Sequence, residues 1–259
     1  MSETPPILEV VNLHKAFGPK AVLRGIDLTI ETGLTTVIIG GSGSGKSVLL
    51  KHLIGLLEPD EGDVLFYGQA VRTMEAQELI KMRAKFGMLF QQGALFDSMS
   101  VLDNVAFPLR EHRRGMAADE VRRLVTESLN TLDLYDVEHL FPAELSGGMK
   151  KRVGLARATI LLPEIILYDE PTTGLDPIMI TQVDDMIAAT QRRLKVTSVV
   201  ISHDMSSTFR IGQRIAMLHE GKIICYGTPD EVRRSEDPVV QRFITVSGTG
   251  PLQPLEAHP

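Results

Sequence analysis

The chain has 259 residues, which suffices for one large domain or for a domain with a small subdomain, whereas two full domains would be tight. Hydrophobic residues make up 43% and charged residues 23%, a balance that is typical of a folded globular protein and excludes a disordered or fibrous chain. The 33 acidic and 27 basic side chains give a net charge of −6, which argues against a general nucleic-acid-binding protein.

Residues 1–6 are expected to form an N-terminal extension rather than a secretory signal. They carry Glu3 and two prolines where a signal needs positive charge followed by an apolar run. No stretch approaches 18 uninterrupted apolar residues, so any path through a membrane would come from another chain. The single cysteine, Cys225, cannot form a disulfide within the chain, which suits a reducing compartment.

The predicted elements begin with three short strands at 7–13, 22–30 and 34–39. The third strand runs into the sequence GGSGSGKS, and residues 46–57 then have the length and apolar content of a helix. This sequence fits G-x-x-x-x-G-K-[ST], in which backbone N–H groups turn inward onto phosphate oxygens. In this pattern Lys46 reaches the β- and γ-phosphates and the Ser47 hydroxyl reaches Mg²⁺. We therefore predict a phosphate loop, formed by Gly40, Gly41, Ser42, Gly43, Ser44, Gly45, Lys46 and Ser47.

Further strands are predicted at 62–68 and 86–90, and a helical insert follows between 101 and 140. Compact apolar runs at 164–168 and 197–201 are typical of parallel strands that are covered by helices on both faces. A closing hairpin and a Pro-rich tail at 247–259 complete the chain. This order indicates an α/β core with a smaller α-helical subdomain. One face of the insert is expected to carry Val121, Leu124, Val125, Leu129 and Leu132, and the hairpin to use residues 215–218 and 222–226.

Two more segments place polar groups beside predicted strands and helices. Asp169 closes an apolar run, so its carboxylate is expected at the carboxyl edge of the sheet, where it can hold Mg²⁺ through water. The sequence LSGGM at 145–149, here called the signature segment, precedes a predicted helix at 150–162 whose positive end favours an anion. Taken alone, Asp-Glu-Pro at 169–171 would more often start a helix or turn, and Ser146 would be an ordinary N-cap.

Together with Gln91 and His203, these segments resemble the nucleotide-binding subunit of ATP-binding cassette (ABC) transporters, from about residue 8 to residue 243. The resemblance implies an α/β fold, namely a P-loop NTPase core with an N-terminal antiparallel β subdomain. It places an α-helical subdomain at about 92–160, inside an ATPase domain at 7–246. The implied ligands are ATP and Mg²⁺.

The resemblance also implies roles for single residues. Glu170 would polarise the water that attacks the γ-phosphate, and His203 would contact that phosphate and Glu170. Gln91 would lie beside Mg²⁺, as Ser47 and Asp169 do, with Gln92 as the alternative in register.

A head-to-tail dimer follows from the same resemblance, because two copies of an ABC subunit sandwich two ATP molecules. Ser146, Gly147 and Gly148 would contact the γ-phosphate bound by the opposite copy, while Met149 stands where the family most often has glutamine. Asp176 would link the two sites, the alternative being a simple N-cap before a proline. Phe17 looks like the aromatic residue that stacks on adenine, a position where the family usually has tyrosine. The alternative is that Phe17 only anchors the core or a turn.

The chain also resembles, in finer detail, the ATPases of bacterial MCE-type phospholipid transporters. This resemblance rests on residues 90–97, Met149 and residues 172–177. These transporters maintain the lipid asymmetry of the outer membrane. The resemblance implies integral-membrane permease subunits and an MCE-domain lipid-binding subunit as partners. It places the chain peripherally on the cytoplasmic face of the bacterial inner membrane.

Three alternatives remain at this stage. The chain could serve an amino-acid or small-molecule ABC transporter, which shares most of these details. A soluble ABC ATPase of DNA repair or translation is opposed because the chain has neither a long coiled-coil insertion nor a second cassette. A regulatory module that binds ATP without hydrolysing it is opposed by Glu170 and His203.

A basic cluster lies on the insert and is formed by arginines 113, 114, 122 and 123. It is expected to be either a solvated face or a contact with lipid or a partner helix.

Overall fold

The strands and helices of the computed structural model, which describes residues 6–91 and 93–246, fall into two units. One unit comprises residues 6–72 and 201–246, and the other comprises residues 73–200. Residues 1–5, Gln92 and the predicted tail lie outside the described residues. No helix in the described part is long and apolar enough to cross a membrane.

The elements are numbered in chain order. They are β1 (Leu8–Phe17), β2 (Lys20–Ile30), β3 (Thr35–Ile39), α1 (Lys46–Leu53), β4 (Glu61–Phe66), β5 (Gln69–Ala70), α2 (Ala76–Arg83), β6 (Phe86–Leu89), α3 (Val101–His112), α4 (Ala118–Asn130), α5 (Gly147–Thr159), β7 (Ile165–Asp169), α6 (Pro177–Leu194), β8 (Thr197–Ser202), α7 (Met205–Ile211), β9 (Arg214–His219), β10 (Lys222–Gly227), α8 (Pro229–Arg233) and α9 (Pro238–Val246). The predicted strands are all present, with bounds that differ by a few residues.

The first unit contains the antiparallel sheet that the sequence predicts near the N-terminus. Its strand order is β2-β1-β4-β5. The pairing of β1 with β2 runs from Leu8 opposite Ile30 to Phe17 opposite Lys20. Apolar side chains such as Leu8 and Ile30 are fully buried, while intervening polar residues are exposed. This alternation is expected of a sheet with one covered face.

The same unit holds the strand that leads to the phosphate loop. The strands are ordered β10-β9-β3, with β3 parallel and β10 antiparallel to β9. All five residues of β3 are buried, as expected for a parallel strand covered on both faces. The hairpin of β9 and β10 confirms the predicted closing hairpin.

Helix α1 ends at Leu53, four residues before the predicted end at residue 57. Gly55 has a φ of 67°, and its N–H donates to the carbonyl of His52. The N–H of Leu56 reaches back to the carbonyl of Lys51, which completes a Schellman motif. The prediction was wrong here because a glycine in the left-handed conformation stops a helix even when apolar residues continue.

A buried histidine on α1 makes the stability of the first unit sensitive to acid. His52 is 1% exposed, and its Nδ1 lies 2.7 Å from the carbonyl oxygen of Val48. Burial lowers the pKa of His52 below its ordinary 6.5, and nearby Lys15 adds to the effect, whereas the bond to Val48 opposes it. The folded protein therefore takes up this proton at lower pH than the unfolded chain does.

We expect the free energy of unfolding to fall as the pH drops below about 6.5, by at most about 1.4 kcal/mol per pH unit from this group. His52→Gln should show a shallower decline, because glutamine does not titrate. The measurement is urea denaturation between pH 5 and 7, with exposed His139→Gln as the control. Equal slopes for the His52 variant and the wild type would contradict this account.

The second unit holds residues 197–200 of β8 followed by β7 and β6 in that order, with β6 parallel to β7. The predicted helical insert is not one continuous helix. It forms α3 and α4, which are separated at residues 113–117 where Gly115 has a φ of 91°. Val121, Val125 and Leu129 are buried on α4 as predicted, Leu124 is half-buried, and Leu132 is buried just beyond the end of the helix.

A buried asparagine in α3 holds the loop that precedes this helix. Asn104 is fully buried, and its Oδ1 accepts a hydrogen bond of 2.8 Å from the backbone N–H of Phe96. Its Nδ2 donates to the carbonyls of Phe96, Met99 and Ser100 at 3.0–3.1 Å. One side chain therefore bonds to the backbone at three positions of this loop, where the carbonyls of Phe96 and Ser100 also accept from backbone N–H groups.

Replacing Asn104 with leucine should destabilise the protein by about 2–4 kcal/mol, because it removes the hydrogen bonds of a fully buried side chain to the loop and leaves the Phe96 N–H and the Met99 carbonyl without this partner. The urea midpoint of the variant measures this loss. Asn130→Leu, at the exposed end of α4, is the control and should change stability by less than about 0.5 kcal/mol. A loss below about 1 kcal/mol for Asn104→Leu would mean that the loop does not depend on this side chain.

Candidate functional site

The phosphate loop begins at Gly40, directly after β3. At two positions its backbone adopts a conformation that only glycine accepts. Gly40 has a φ of 155°, and a Cβ atom added there would lie 2.2 Å from the carbonyl oxygen of Leu218. Gly45 has a φ of 109°, and an added Cβ would lie 2.8 Å from Leu23 Cδ2. Both glycines are needed for the close approach of the backbone to β9 and β2. The sequence therefore folds into the strand, loop and helix that the motif predicts.

Polar groups inside this loop fit an anionic ligand. Lys46 is 7% exposed, and its Nζ donates to the carbonyls of Gly40 at 2.9 Å and Gly41 at 3.1 Å. The hydroxyl of Ser44 is buried and, among the described residues, has no hydrogen-bond partner. A buried hydroxyl normally has a hydrogen-bond partner, and the Lys46 cation in the same loop favours a negatively charged ligand. These groups match the phosphates of a nucleotide, which accept hydrogen bonds and carry that charge.

Two further predicted residues belong to the first unit. His203 directly follows β8 and is exposed, while the next residue, Asp204, caps α7 by accepting from the N–H of Ser207 at 2.9 Å. Phe17 ends β1 with 48% of its surface exposed, and Lys15 Nζ lies 5.8 Å from the centre of its ring. An exposed ring of this kind can stack on a planar ligand.

In the second unit, strand β7 delivers Asp169 and Glu170 to its carboxyl end. Residues 165–168 are fully buried, whereas Asp169 and Glu170 are half-buried. Glu170 has a left-handed φ of 49°, uncommon for a residue other than glycine. The hydroxyl of Thr173 donates to Glu170 Oε2 at 3.0 Å, and the Thr173 N–H lies 3.3 Å from the Glu170 carbonyl oxygen. Residues 170–173, the glutamate loop, therefore hold this carboxylate in one orientation.

The signature segment starts helix α5. Ser146 is the N-cap, and its hydroxyl accepts from the N–H of Met149 at 3.3 Å. The N–H groups of Gly147 and Gly148 have no partner within the helix, because the first turn of a helix offers none. No acidic residue lies in the first turn. The start of α5 is therefore an ordinary serine cap that also presents N–H groups to an anion.

Helix α5 also contacts the loops that carry the other predicted residues of this unit. Arg157 donates to the carbonyl of Gly93 at 2.8 Å, in the turn that follows the exposed Gln91. A Cβ added at Gly148 would lie 2.9 Å from the methyl carbon of Met179, in the first turn of α6. Asp176 caps α6 by accepting from the N–H groups of residues 178 and 179 at 3.0 Å. The N-cap alternative for Asp176 is therefore realised, and its role across a dimer stays a prediction.

One contact of α5 involves a residue that the sequence did not single out. Lys151 is 5% exposed, and its Nζ donates to the carbonyl oxygen of Pro171 in the glutamate loop. Burial lowers the pKa of Lys151. Thr173 was likewise missed as a partner of Glu170. The Lys151 contact has no signal in the local pattern, because its partner lies 20 residues away in the chain. The Thr173 contact is local, since Thr173 follows Glu170 by three residues.

The family of ABC transporters matches residues 23–173 of the chain. The probable ribonucleotide transport ATP-binding protein Mkl of Mycobacterium tuberculosis is 40% identical over 245 residues, which cover 95% of this chain and 68% of that protein. The intermembrane phospholipid transport ATP-binding protein MlaF of Haemophilus influenzae is 38% identical, over 95% of this chain and 93% of that one. A dimeric bacterial ABC transporter cassette, MJ0796, is similar with a TM-score of 0.77 and 32% identity, over 86% of this chain and 98% of that one.

Proposed function

The chain belongs to the ABC transporter family and is an ATP hydrolase, and we propose that it powers phospholipid transport through separate membrane subunits. The assignment of phospholipid as the transported substrate depends on the match to MlaF, which spans nearly the whole of both chains. Mkl supports ribonucleotide transport as the second candidate, since its name describes that cargo and its identity is similar. Lipid transport is favoured because the signature segment carries Met149, as in the resemblance to phospholipid transporters.

We infer that the phosphate loop holds the β- and γ-phosphates of ATP, with Lys46 as the cation. The buried, unpaired Ser44 hydroxyl supports this, because a phosphate oxygen would satisfy it. Bound Mg²⁺ would neutralise charge that develops between the phosphates. Ser47, Gln91 and Asp169 supply the hard oxygen ligands that this metal prefers.

Glu170 is the carboxylate proposed to accept the proton of the attacking water, and His203 the residue that contacts the γ-phosphate. The bond from Thr173 supports the assignment of Glu170, because a general base has to be held in place to act. Phe17 is proposed to stack on the adenine ring, for which its exposed face is suited.

Two copies of the chain are proposed to close head to tail on two ATP molecules. The N–H groups of Gly147 and Gly148, which have no acceptor within the helix, support a contact with the γ-phosphate held by the other copy. The related cassette MJ0796 forms a dimer, and one of its structures holds ADP and phosphate after hydrolysis. ATP would thus bind the copies together, and hydrolysis would release them.

An apolar groove in the second unit is proposed to receive a short cytoplasmic helix of a membrane subunit. The groove has a volume of about 790 Å³, and Phe90 and Phe96 are 40% and 42% exposed there. Phe107 lines the same groove, with Arg83 and Arg114 beside it. Because Phe90 directly precedes Gln91, a helix in this groove would contact the segment proposed to lie beside Mg²⁺. An MCE-domain protein is the further partner that phospholipid transport implies.

Phe96→Asp should abolish capture of the membrane subunit and leave ATP affinity within about twofold, because a carboxylate in an apolar groove disfavours an apolar helix. The measurement is the amount of permease that copurifies from detergent-solubilised membranes. Tyr67→Asp is the matched control, since Tyr67 is 48% exposed and belongs to the first unit. Equal recovery with both variants would exclude the groove.

The function itself is tested by tagging Glu170→Gln, solubilising host membranes in mild detergent, and identifying the copurifying proteins and lipids by mass spectrometry. A permease with an MCE-domain subunit and enriched phospholipid is the expected result. A permease with bound nucleotide would favour ribonucleotide transport. A partner without membrane-spanning segments would contradict the transporter proposal, and the control is the same purification from cells that carry the untagged chain.

A further inference from the structure

Lys151 is a buried cation for which the proposed hydrolysis mechanism has no use. It lies in the second turn of α5 and is 5% exposed. Its ammonium group donates to the carbonyl oxygen of Pro171, and burial lowers its pKa. Within residues 6–91 and 93–246, Lys151 forms no salt bridge with a carboxylate; its hydrogen-bond acceptor is this neutral carbonyl.

Burying an ammonium group without a carboxylate is costly, even when it makes a hydrogen bond. Methionine or glutamine would fill a similar volume at lower cost. A cationic donor does make a stronger bond to a carbonyl than a neutral donor does. The burial of Lys151 is therefore better explained by a task at the Pro171 carbonyl than by packing.

Pro171 directly follows Glu170 in the glutamate loop. Its side chain and that of Thr172 are buried, while Glu170 adopts its left-handed φ of 49°. Thr173 holds the Glu170 carboxylate from one side through a bond of 3.0 Å. Lys151 bonds to the backbone of the same loop, at the carbonyl of Pro171, the residue that follows Glu170.

We propose that Lys151 is a positioning residue for ATP hydrolysis, which fixes the glutamate loop to the signature helix α5. This inference rests on the proposed role of Glu170 as the catalytic carboxylate. It has a mechanical consequence, because α5 begins at the N–H groups proposed to contact the partner's nucleotide. One buried bond then joins that helix to the loop that carries the Glu170 carboxylate of the same chain. Nucleotide held by the partner would thereby influence the orientation of Glu170.

Lys151→Met should lower kcat about tenfold and leave the dissociation constant of ATP within twofold, because the phosphate loop is not altered. Lys151→Arg, which keeps a cationic donor, should recover part of the loss. The matched control is Lys150→Met, the neighbouring lysine of the same helix, which should stay within twofold of wild type. If the methionine variant does not fold cooperatively, Lys151→Gln replaces it with the same expected fall in kcat. A folded Lys151→Met or Lys151→Gln variant with wild-type kcat overturns the proposal.

A double-mutant cycle separates positioning from a general structural role. In single-turnover experiments, Lys151→Met added to Glu170→Gln should slow hydrolysis by less than twofold, because the group that Lys151 positions is already gone. Multiplication of the two single effects overturns the proposal. A failure of the underlying function is distinguishable: the wild type would then not hydrolyse ATP, or Glu170→Gln would hydrolyse it at the wild-type rate.

Discussion

Glu170→Gln should reduce ATP turnover by about 10²–10³-fold and leave ATP binding intact. Glutamine has nearly the same shape, and its amide oxygen can still accept the hydrogen bond from Thr173. It cannot take a proton from the attacking water, so only the chemical step is lost. Steady-state phosphate release and the equilibrium binding of ATP measure the two effects separately.

The variant should also accumulate as a dimer in the presence of ATP, because hydrolysis no longer releases the copies. Light scattering with and without ATP detects this change. Glu164→Gln is the control, since Glu164 lies just before β7 and pairs with Lys85 on the surface at 2.9 Å. A surface pair of this kind is worth at most about 1 kcal/mol, so that variant should turn over ATP normally. Wild-type hydrolysis by Glu170→Gln would refute the assignment of the catalytic carboxylate.

Lys46→Met should weaken ATP binding by about 100-fold and reduce turnover with it, because it removes the buried cation of the phosphate loop. Methionine keeps most of the volume of the lysine stem, so the packing of α1 is retained. The variant leaves the carbonyls of Gly40 and Gly41 without the bonds that Lys46 Nζ donates at 2.9 and 3.1 Å. Calorimetric titration with ATP measures the loss.

Lys51→Met is the control for this change, because Lys51 lies on the same helix and is exposed. It should bind ATP as the wild type does. If Lys46→Met binds ATP within threefold of wild type, the phosphates do not lie against Lys46. Comparison of Glu170→Gln with Lys46→Met separates the chemical step from nucleotide binding. It also tests the alternative of a regulatory module, which would bind ATP and show no hydrolysis even in the wild type.

The family match confirms the fold class and the ATPase function that the sequence predicted. The helix ends were less predictable. The end of α1 at Leu53 follows from the left-handed Gly55, a residue visible in the sequence whose conformation is not. Helix α2 was missed, although Glu75 and Glu78 form a capping box at its start. Its eight residues are fewer than the window of about 11 that a periodicity argument needs.

The sequence by itself determined the phosphate loop, the buried strands and the serine cap of the signature helix, although that helix begins at Gly147 rather than at the predicted residue 150. Each is a local pattern whose glycines, caps or apolar runs carry their own geometry. The tertiary structure alone decided that Lys151 bonds to the Pro171 carbonyl and that Asn104 holds the loop from Phe96 to Ser100. It also showed that Arg157 holds the turn at Gly93, 64 residues away in the chain. A side chain that bonds to the backbone of another segment follows no period or motif, so only the folded structure identifies these partners.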